Sequence, residues 1–313
     1  MEVNRRTARS LVSKLSSVSE QTRSEALSEL RLITKQDSDS RSIIAEAGAI
    51  PYLSETLYSS SHESQENASA TLLNISISSK DSLMSTRGLL DALAHALRHH
   101  ATSTSPLAVQ SAAATLHSLL IVDSYRSIIG SKRDIVYSLI EIIKTPNSPP
   151  RSVKDSLKAL FGIALYPLNR STLVDLGAVP ALFSIVLKDG RVGIVEDATA
   201  VIAQIAGCEE SEAEFSRFSG VGILVDLLDL GTGLSLRIKE NSVAALLNLV
   251  RSGGERVIEE VREMAAVVVE GIEEVAVAGS SKGKSKAVAL LKVIDGRLNN
   301  GNTKFESLLD HSS

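Results

Sequence analysis

The segment most suggestive of chemistry is the glycine- and lysine-rich stretch 279–285, which reads GSSKGKS. Its spacing is close to that of a phosphate-binding loop, in which backbone amides between two glycines cradle the phosphates of a nucleotide. A true loop of this kind sets its glycines five positions apart, whereas Gly279 and Gly283 are four apart. The stretch also falls where the repeated pattern described below has its polar loops. We therefore interpret it as a flexible basic loop with modifiable serines.

Three other side chains have the spacing of metal ligands. Asp91, His95 and His99 follow one another at four-residue intervals, which places them on one face of a helix. Imidazoles near the end of a helix more often interact with the helix dipole, and we interpret this trio in that way. Cys208 has no histidine near it in sequence, so no nucleophile and base pair is recognisable. We therefore predict no catalytic residue, no cofactor and no metal, in a chain that is not an enzyme.

Composition and charge narrow the class of protein. The 313 residues carry a formal net charge of -4, and 43% of them are hydrophobic while only 3% are aromatic. Such a chain can build an aliphatic, helical core. Its acidic balance argues against nucleic acid as the main partner, because duplex binding needs a basic face. The single cysteine excludes an internal disulfide, and no apolar run approaches the roughly 18 residues of a membrane span. We expect a protein of the cytoplasm, the nucleus or both.

A short aliphatic pattern recurs along the chain and is the main structural signal. Each copy has a small residue, an aliphatic residue four positions later and another three positions after that, which places three side chains on one stripe of a helix. The seven copies are Ala26/Leu30/Ile33, Ala68/Leu72/Ile75, Ala112/Leu116/Leu119, Ser156/Leu160/Ile163, Ala198/Ile202/Ile205, Ser242/Leu246/Leu249 and Ala287/Leu291/Ile294. Their first positions are separated by 42, 44, 44, 42, 44 and 45 residues. This regular spacing predicts a repeat protein in which each copy contributes a helix with a buried seam.

A second apolar segment precedes each of these helices. In the second and fifth copies it begins Gly-Ala-Ile-Pro at 48–51 and Gly-Ala-Val-Pro at 177–180. A glycine there can end the preceding turn in the left-handed conformation, and a proline fits the first turn of the next helix. One helix pair cannot bury its own apolar stripe. Neighbouring copies must therefore stack as a solenoid that is held by nearest-neighbour contacts.

The residues of these copies resemble armadillo repeats. The resemblance rests on the start at 48–53, on Glu66-Asn67-Ala68 followed by Leu72-Leu73-Asn74-Ile75, and on the similar segment ENSVAALLNL at 240–249. It implies an all-α, armadillo-type α-solenoid, a right-handed superhelix of about seven repeats of 42–45 residues, with a short first helix before each pair. The lead-in SQENA at 64–68 is similar to the armadillo half of plant U-box ubiquitin ligases. No U-box is expected within the chain.

The resemblance implies a non-catalytic scaffold that binds a partner protein in its concave groove, as a substrate-recruiting or regulatory component of ubiquitin-linked signalling. One alternative is the ARM portion of a U-box ubiquitin ligase whose catalytic domain is absent from this chain. Another is a structural tether that uses the arginine-rich start. We predict one solenoid over residues 1–298, with caps at about 5–47 and 264–298, and a flexible tail at 299–313. We expect a monomer without a membrane span.

The groove of armadillo proteins is lined by the third helix of each repeat, and the resemblance assigns ten polar residues of this chain to it. They are Asn67, Asn74, Ser111, Ser118, Asp155, Lys158, Asp197, Gln204, Asn241 and Asn248. An exposed Asn can donate and accept, which suits binding the backbone of an extended peptide. The alternative interpretation is that these residues only form the solvated side of an amphipathic helix.

The groove also departs from that of importin-like armadillo proteins. Those proteins hold lysine side chains with Trp, whereas this chain has Ala70, Lys158, Ala200 and Ala244 at the equivalent positions. We therefore do not expect a nuclear-import receptor. Small side chains leave a shallow groove with room for a peptide segment or a partner's helix.

Charge is distributed unevenly. Residues 208–278 hold 14 acidic and 6 basic residues, whereas 279–313 hold 3 acidic and 6 basic residues. The acidic block could steer a basic partner segment towards the chain. The interpretation that we favour is that its glutamates form solvated helix faces.

Overall fold

Helices are the only regular elements in residues 5–295, the part of the chain that this computed structural model describes. The all-α prediction is therefore confirmed, and the predicted tail at 299–313 lies outside the described residues. The chain divides into two compact units, Met1–Ile205 and Ala206–Ser313. A single solenoid over 1–298 with caps at both ends stays a prediction.

The two units contain the following helices. The first unit has α1 (Arg5–Lys14), α2 (Glu20–Gln36), α3 (Asp39–Glu46), α4 (Ala49–Thr56), α5 (His62–Ser78), α6 (Lys80–Ser85), α7 (Leu89–Arg98), α8 (Pro106–Leu119), α9 (Asp123–Gly130), α10 (Arg133–Lys144), α11 (Pro150–Ala164), α12 (Arg170–Asp175), α13 (Ala178–Lys188) and α14 (Val192–Ile205). The second unit has α15 (Ser211–Arg217), α16 (Gly220–Asp226), α17 (Leu236–Glu263), α18 (Ala265–Ala278) and α19 (Ser281–Asp295).

A full copy of the repeat is a short first helix, a second helix and a longer third helix, as in α3, α4 and α5. The third helices α2, α5, α8, α11 and α14 pack one against the next within the first unit, and α17 packs against α19 within the second. Every residue of the seven aliphatic triads is buried except Ile33, which is half-buried. The predicted seam is therefore confirmed, and each buried aliphatic side chain contributes about 1.5–3 kcal/mol.

The helix starts follow from local residue chemistry. Gly48, Gly88 and Gly177 adopt φ of 87°, 85° and 85° directly before second helices, a left-handed conformation that glycine reaches without steric cost. Several third helices instead begin after a serine, whereas α11 follows Pro149 and α14 follows Arg191. Ser61 and Ser105 accept hydrogen bonds from the first backbone N–H groups of α5 and α8.

The sixth copy departs from this pattern in two places. Its second helix, α16, begins at Gly220, and Ser219 in place of a glycine holds the left-handed position with φ of 51°. The third helix of copy six and the first helix of copy seven also follow each other without an intervening loop, and together they form α17. Gly254, with φ of 61° and ψ of -151°, breaks α17 between the third helix of copy six and the first helix of copy seven.

The prediction of a flexible loop at 279–285 is wrong. Helix α19 begins at Ser281, so Gly283, Lys284 and Ser285 lie within its first turns. Ser280 precedes the helix and accepts a hydrogen bond from the N–H of Gly283 at 3.1 Å. Glycine therefore does not shape a phosphate cradle at this place, because the backbone there is already helical.

Membrane-spanning potential is limited to one bent helix pair. Among residues 5–295 no single helix has the length and apolar composition to cross a membrane, whereas Pro167–Asp175 with Ala178–Lys188, bent by 78°, meets the test as a pair.

Candidate functional site

The predicted groove residues all lie on third helices. The first unit places Asn67 and Asn74 on α5, Ser111 and Ser118 on α8, Asp155 and Lys158 on α11, and Asp197 and Gln204 on α14. The second unit places Asn241 and Asn248 on α17. All of them are half-buried except Asn67, which is buried. We call the surface formed by these positions in the first unit the third-helix face.

The two asparagines of α5 differ from the expectation of exposed peptide-binding groups. Asn67 is only 5% exposed, and its Oδ1 accepts a hydrogen bond from Nη1 of Arg31 on α2 at 3.0 Å. Asn74 donates from Nδ2 to Oγ1 of Thr34, also on α2, at 3.1 Å. Both side chains therefore connect the first and second copies, and each keeps part of its amide for other contacts.

The glutamate of the Glu-Asn-Ala motif links a third helix to the next one. Glu66 accepts a hydrogen bond from the hydroxyl of Ser105, which precedes α8, while Oε1 of the neighbouring Gln65 accepts from the backbone N–H of Ser105 at 2.9 Å. In the second unit Glu240 accepts from Oγ of Ser280 at 2.7 Å, directly before α19. This role is not predicted above, although the similar separations of Glu66 from Ser105 and of Glu240 from Ser280, 39 and 40 residues, can be read from the sequence.

The centre of the third-helix face is charged. Lys154 on α11 donates to the carbonyl of Gly193 at 2.9 Å, and its Nζ lies 3.1 Å from Oδ2 of Asp197 on α14. This pair fixes the spacing between α11 and α14. Lys154 was not among the predicted residues, because the matching position in other copies is the glutamate described above.

Asp155 and His117 are the titratable groups whose pKa values are perturbed here. Burial raises the pKa of the Asp155 carboxyl, although the nearby cations of Lys158, Arg151 and Lys154 oppose the shift. Burial also lowers the pKa of the His117 imidazole, and the Lys158 ammonium lowers it further. Burial therefore disfavours the charged form of each of these two groups, and both can hydrogen-bond to a ligand.

Two more of the predicted groove residues form hydrogen bonds within the protein. Ser118 donates to the carbonyl of Ser76 at 3.1 Å, and Gln204 accepts from Arg170 at 3.2 Å. At Gly162 an added Cβ would lie 2.8 Å from Cβ of Leu120, so this glycine serves close packing and offers no surface to a partner.

Small and apolar side chains complete the third-helix face. Ala70, Ala114 and Ala200 are half-buried, so small side chains occupy these three positions of the face. Near the C-terminal ends of α5 and α8, Ile77 and Ile121 are 55% and 62% exposed. Exposed apolar groups that form a contiguous patch rimmed by polar residues mark surfaces that bind other proteins.

The trio considered for metal binding lies on the second helix α7 and at its C-terminal end, and none of its members is on a third helix. The ring centroids of His95 and His99 are 4.4 Å apart, and those of His95 and Tyr58 are also 4.4 Å apart. Asp91 instead pairs with Nζ of Lys132 at 2.9 Å. Within residues 5–295 no three His, Cys, Asp or Glu side chains group in a way that could hold a metal ion.

Comparison with known proteins identifies the family. A family model described as the plant U-box protein ARM repeat region matches residues 8–306. The chain belongs to this family. The ARM repeat region is 33% identical over 272 residues to U-box domain-containing protein 16 of Arabidopsis thaliana, covering 85% of this chain and 38% of that protein. It is 32% identical over 306 residues to U-box domain-containing protein 17 of the same plant, covering 96% and 40%. The chain thus spans about two fifths of the length of these relatives.

Solved structures show the same fold for this ARM repeat region. The designed armadillo repeat protein YIII(Dq)4CqI matches with a TM-score of 0.51 and 21% identity, covering 92% of this chain and 99% of that one. A chain from a structure on the phosphorylation switch in the cadherin and beta-catenin interaction matches with a TM-score of 0.74 and 17% identity, covering 98% and 58%. The armadillo-type fold is therefore confirmed.

Proposed function

We propose that this ARM repeat region is a non-catalytic scaffold that binds a partner protein along the third-helix face. The observation that carries the proposal is the combination found there of half-buried polar groups, small alanines and exposed isoleucines. Among the similar structures, one concerns cadherin and beta-catenin and another concerns armadillo repeat proteins computationally designed for modular peptide recognition. These support a protein or peptide as the ligand class.

A face-blocking variant tests this proposal. Ala114 lies half-buried at the middle of the face, so Ala114→Arg would place a long cation where a partner must approach. Ser184→Arg on the exposed side of α13 adds the same side chain elsewhere and is the matched control. Proteins captured from a native extract are identified by mass spectrometry, purified and titrated against each variant. We expect A114R alone to weaken the interaction; equal binding by both variants would contradict the proposal.

We further propose a substrate-recruiting or regulatory role in ubiquitin-linked signalling, in the cytoplasm, the nucleus or both. The similarity to U-box domain-containing proteins supports this role. Captured partners should then include a ubiquitin-pathway or signalling protein whose abundance changes when the chain is removed. A partner set without any such protein would contradict this part of the proposal.

The second candidate function is the ARM portion of a U-box ubiquitin ligase, with the catalytic domain outside this chain. The coverage of the relatives, about two fifths of their length, favours it. Sequencing the transcript upstream of the codon for Met1 distinguishes the two. An upstream reading frame that encodes a U-box would support the ligase, and an in-frame stop codon would support the separate scaffold.

A further inference from the structure

The second unit separates its charges by helix type. Residues 208–278 are strongly acidic, yet Glu240 is the only acidic residue between 236 and 252, the third helix of copy six. The other acidic residues of that block lie on first helices, second helices and loops. The first turns of α19, the third helix of copy seven, contain only basic charged residues. An acidic unit therefore carries two adjacent third helices that are basic.

Several of these cations lie at the surface. Arg251 on α17 and Lys282 on α19 are exposed, and Lys286 is half-buried one turn beyond Lys282. In the described part of the unit, none of these three side chains forms an ion pair with a carboxylate. The one buried cation of these helices, Lys239, is already paired with Glu274. Arg251, Lys282 and Lys286 are therefore available to an outside ligand, and we call them the basic cluster.

Helix geometry brings the basic cluster together: Lys282 and Lys286 are four residues apart on one face of α19, and α19 packs against α17, which carries Arg251. The pKa of Lys286 is lowered by burial first, and then by the neighbouring charges of Lys282 and Arg251. Glu240 opposes that shift, but both of its carboxylate oxygens accept hydrogen bonds from Ser280. Like charges held together in this way are relieved when an anion binds between them.

We propose that the basic cluster binds a carboxylate-rich, acidic segment of the partner protein. The proposal rests on the proposed scaffold function and specifies the chemistry of one part of the partner. Charge complementarity selects the occupant, because a basic partner segment would meet repulsion from all three cations. The acidic first and second helices would also direct an acidic segment away from the rest of the unit and towards the third helices.

A direct binding assay with the full chain tests this inference. The probe is a fluorescently labelled peptide of Glu-Gly-Ser repeats, and the same peptide with Gln in place of Glu is the neutral comparison. We expect the Glu peptide to bind at low salt, to bind more weakly as salt rises, and to bind more tightly than the Gln peptide. Equal binding of the two peptides would overturn the proposal.

Paired variants locate the binding. Lys282→Gln with Lys286→Gln should weaken Glu-peptide binding about two- to thirty-fold, the combined range for two exposed ion pairs. The control is Lys188→Gln with Lys284→Gln, which removes the same charge from α13 and from elsewhere on α19. Equal weakening by both pairs would mean that net charge alone is responsible, and would overturn the proposal. Melting curves establish that both variants fold.

Two other polyanions are compared with the Glu peptide in the same binding assay. Tighter binding of a single-stranded oligonucleotide or of phosphatidylserine vesicles than of the Glu peptide would overturn the proposal in favour of those ligands. The peptide assay needs no captured partner. If the basic cluster does not bind the Glu peptide, the effect of A114R on partner binding still tests the scaffold function. If A114R does not weaken partner binding, the peptide assay still tests the basic cluster.

Discussion

Arg31 on α2 and Asn67 on α5 form a hydrogen bond of 3.0 Å that joins the first two third helices. The residue before Asn67, Glu66, accepts from Ser105 at the start of α8. One dipeptide of the repeat motif therefore connects its own helix to the copy before it and to the copy after it. In this family member the motif residues hold the stack together as well as lining the face.

Removing Asn67 should destabilise the first unit. Asn67→Ala leaves the half-buried Arg31 guanidinium without its acceptor, and we expect a loss of about 1–3 kcal/mol in the free energy of unfolding. Asn74→Ala removes one half-buried hydrogen bond to Thr34 and should cost only about 0.5–1.5 kcal/mol. Urea unfolding of the full chain measures both. A smaller loss for N67A than for N74A would show that Arg31 finds another partner.

Truncation of the aliphatic seam should have a larger effect. Leu72 is fully buried in the triad of α5, so Leu72→Ala should cost about 2–5 kcal/mol in the free energy of unfolding. Leu107 is 53% exposed on α8, and Leu107→Ala should change stability by no more than about 0.5 kcal/mol. The measurement is the denaturant concentration at the midpoint of unfolding, compared between variants whose unfolding free energy depends on denaturant with the same slope. Similar midpoints for the two variants would show that the helix register is wrong.

The sequence predicted the seam but not the connections between copies. Spacing of four and three residues determines which side of a helix is apolar, so Leu72 could be placed from sequence alone. The contact between Arg31 and Asn67 depends on how two neighbouring helices are rotated, which the spacing does not contain. The helix start within 279–285 is not predictable from its own residues, because Glu240, about one repeat earlier, accepts the hydrogen bond of Ser280 there.

A larger side chain at Gly162 should destabilise the first unit. An added Cβ would meet Cβ of Leu120 at 2.8 Å, and both residues are buried. Gly162→Ala should therefore destabilise the chain by about 1–3 kcal/mol through overpacking. Gly190 has open space around it, so Gly190→Ala is the control and should be neutral or slightly stabilising. Calorimetric melting temperatures distinguish the two, and unchanged melting of G162A would mean that α11 can move away from Leu120.

Asp155 should make stability depend on pH in an identifiable direction. Its pKa in the folded chain is raised above the ordinary value of 3.8, mainly by burial. Between these two values the folded chain binds more protons than the unfolded chain, so this group's contribution to stability falls as pH rises. The ionised Asp155 carboxylate has its full destabilising effect at pH values above its pKa in the folded chain. Asp155→Asn should therefore stabilise the chain at neutral pH and lose that advantage at pH values below 3.8.

The control for this experiment is Asp226→Asn, because Asp226 is exposed at the end of α16. Unfolding free energies of both variants and of the unaltered chain are compared across the acidic range. Stabilisation by D155N that persists unchanged below pH 3.8 would mean that the gain comes from packing and not from the charge.

Lys239 should depend on Glu274 for its place in the core of the second unit. Its side chain is 3% exposed and pairs with the carboxylate of Glu274 on α18. Glu274→Gln leaves a buried ammonium without a counter-charge, and we expect a loss of about 3–5 kcal/mol. Combining it with Lys239→Met removes the charge and keeps the volume, so the double variant should recover most of that stability. Unfolding of the single and double variants in urea measures the difference, and equal instability of the two would show that the loss comes from other contacts of Glu274 and not from an unpaired Lys239 ammonium.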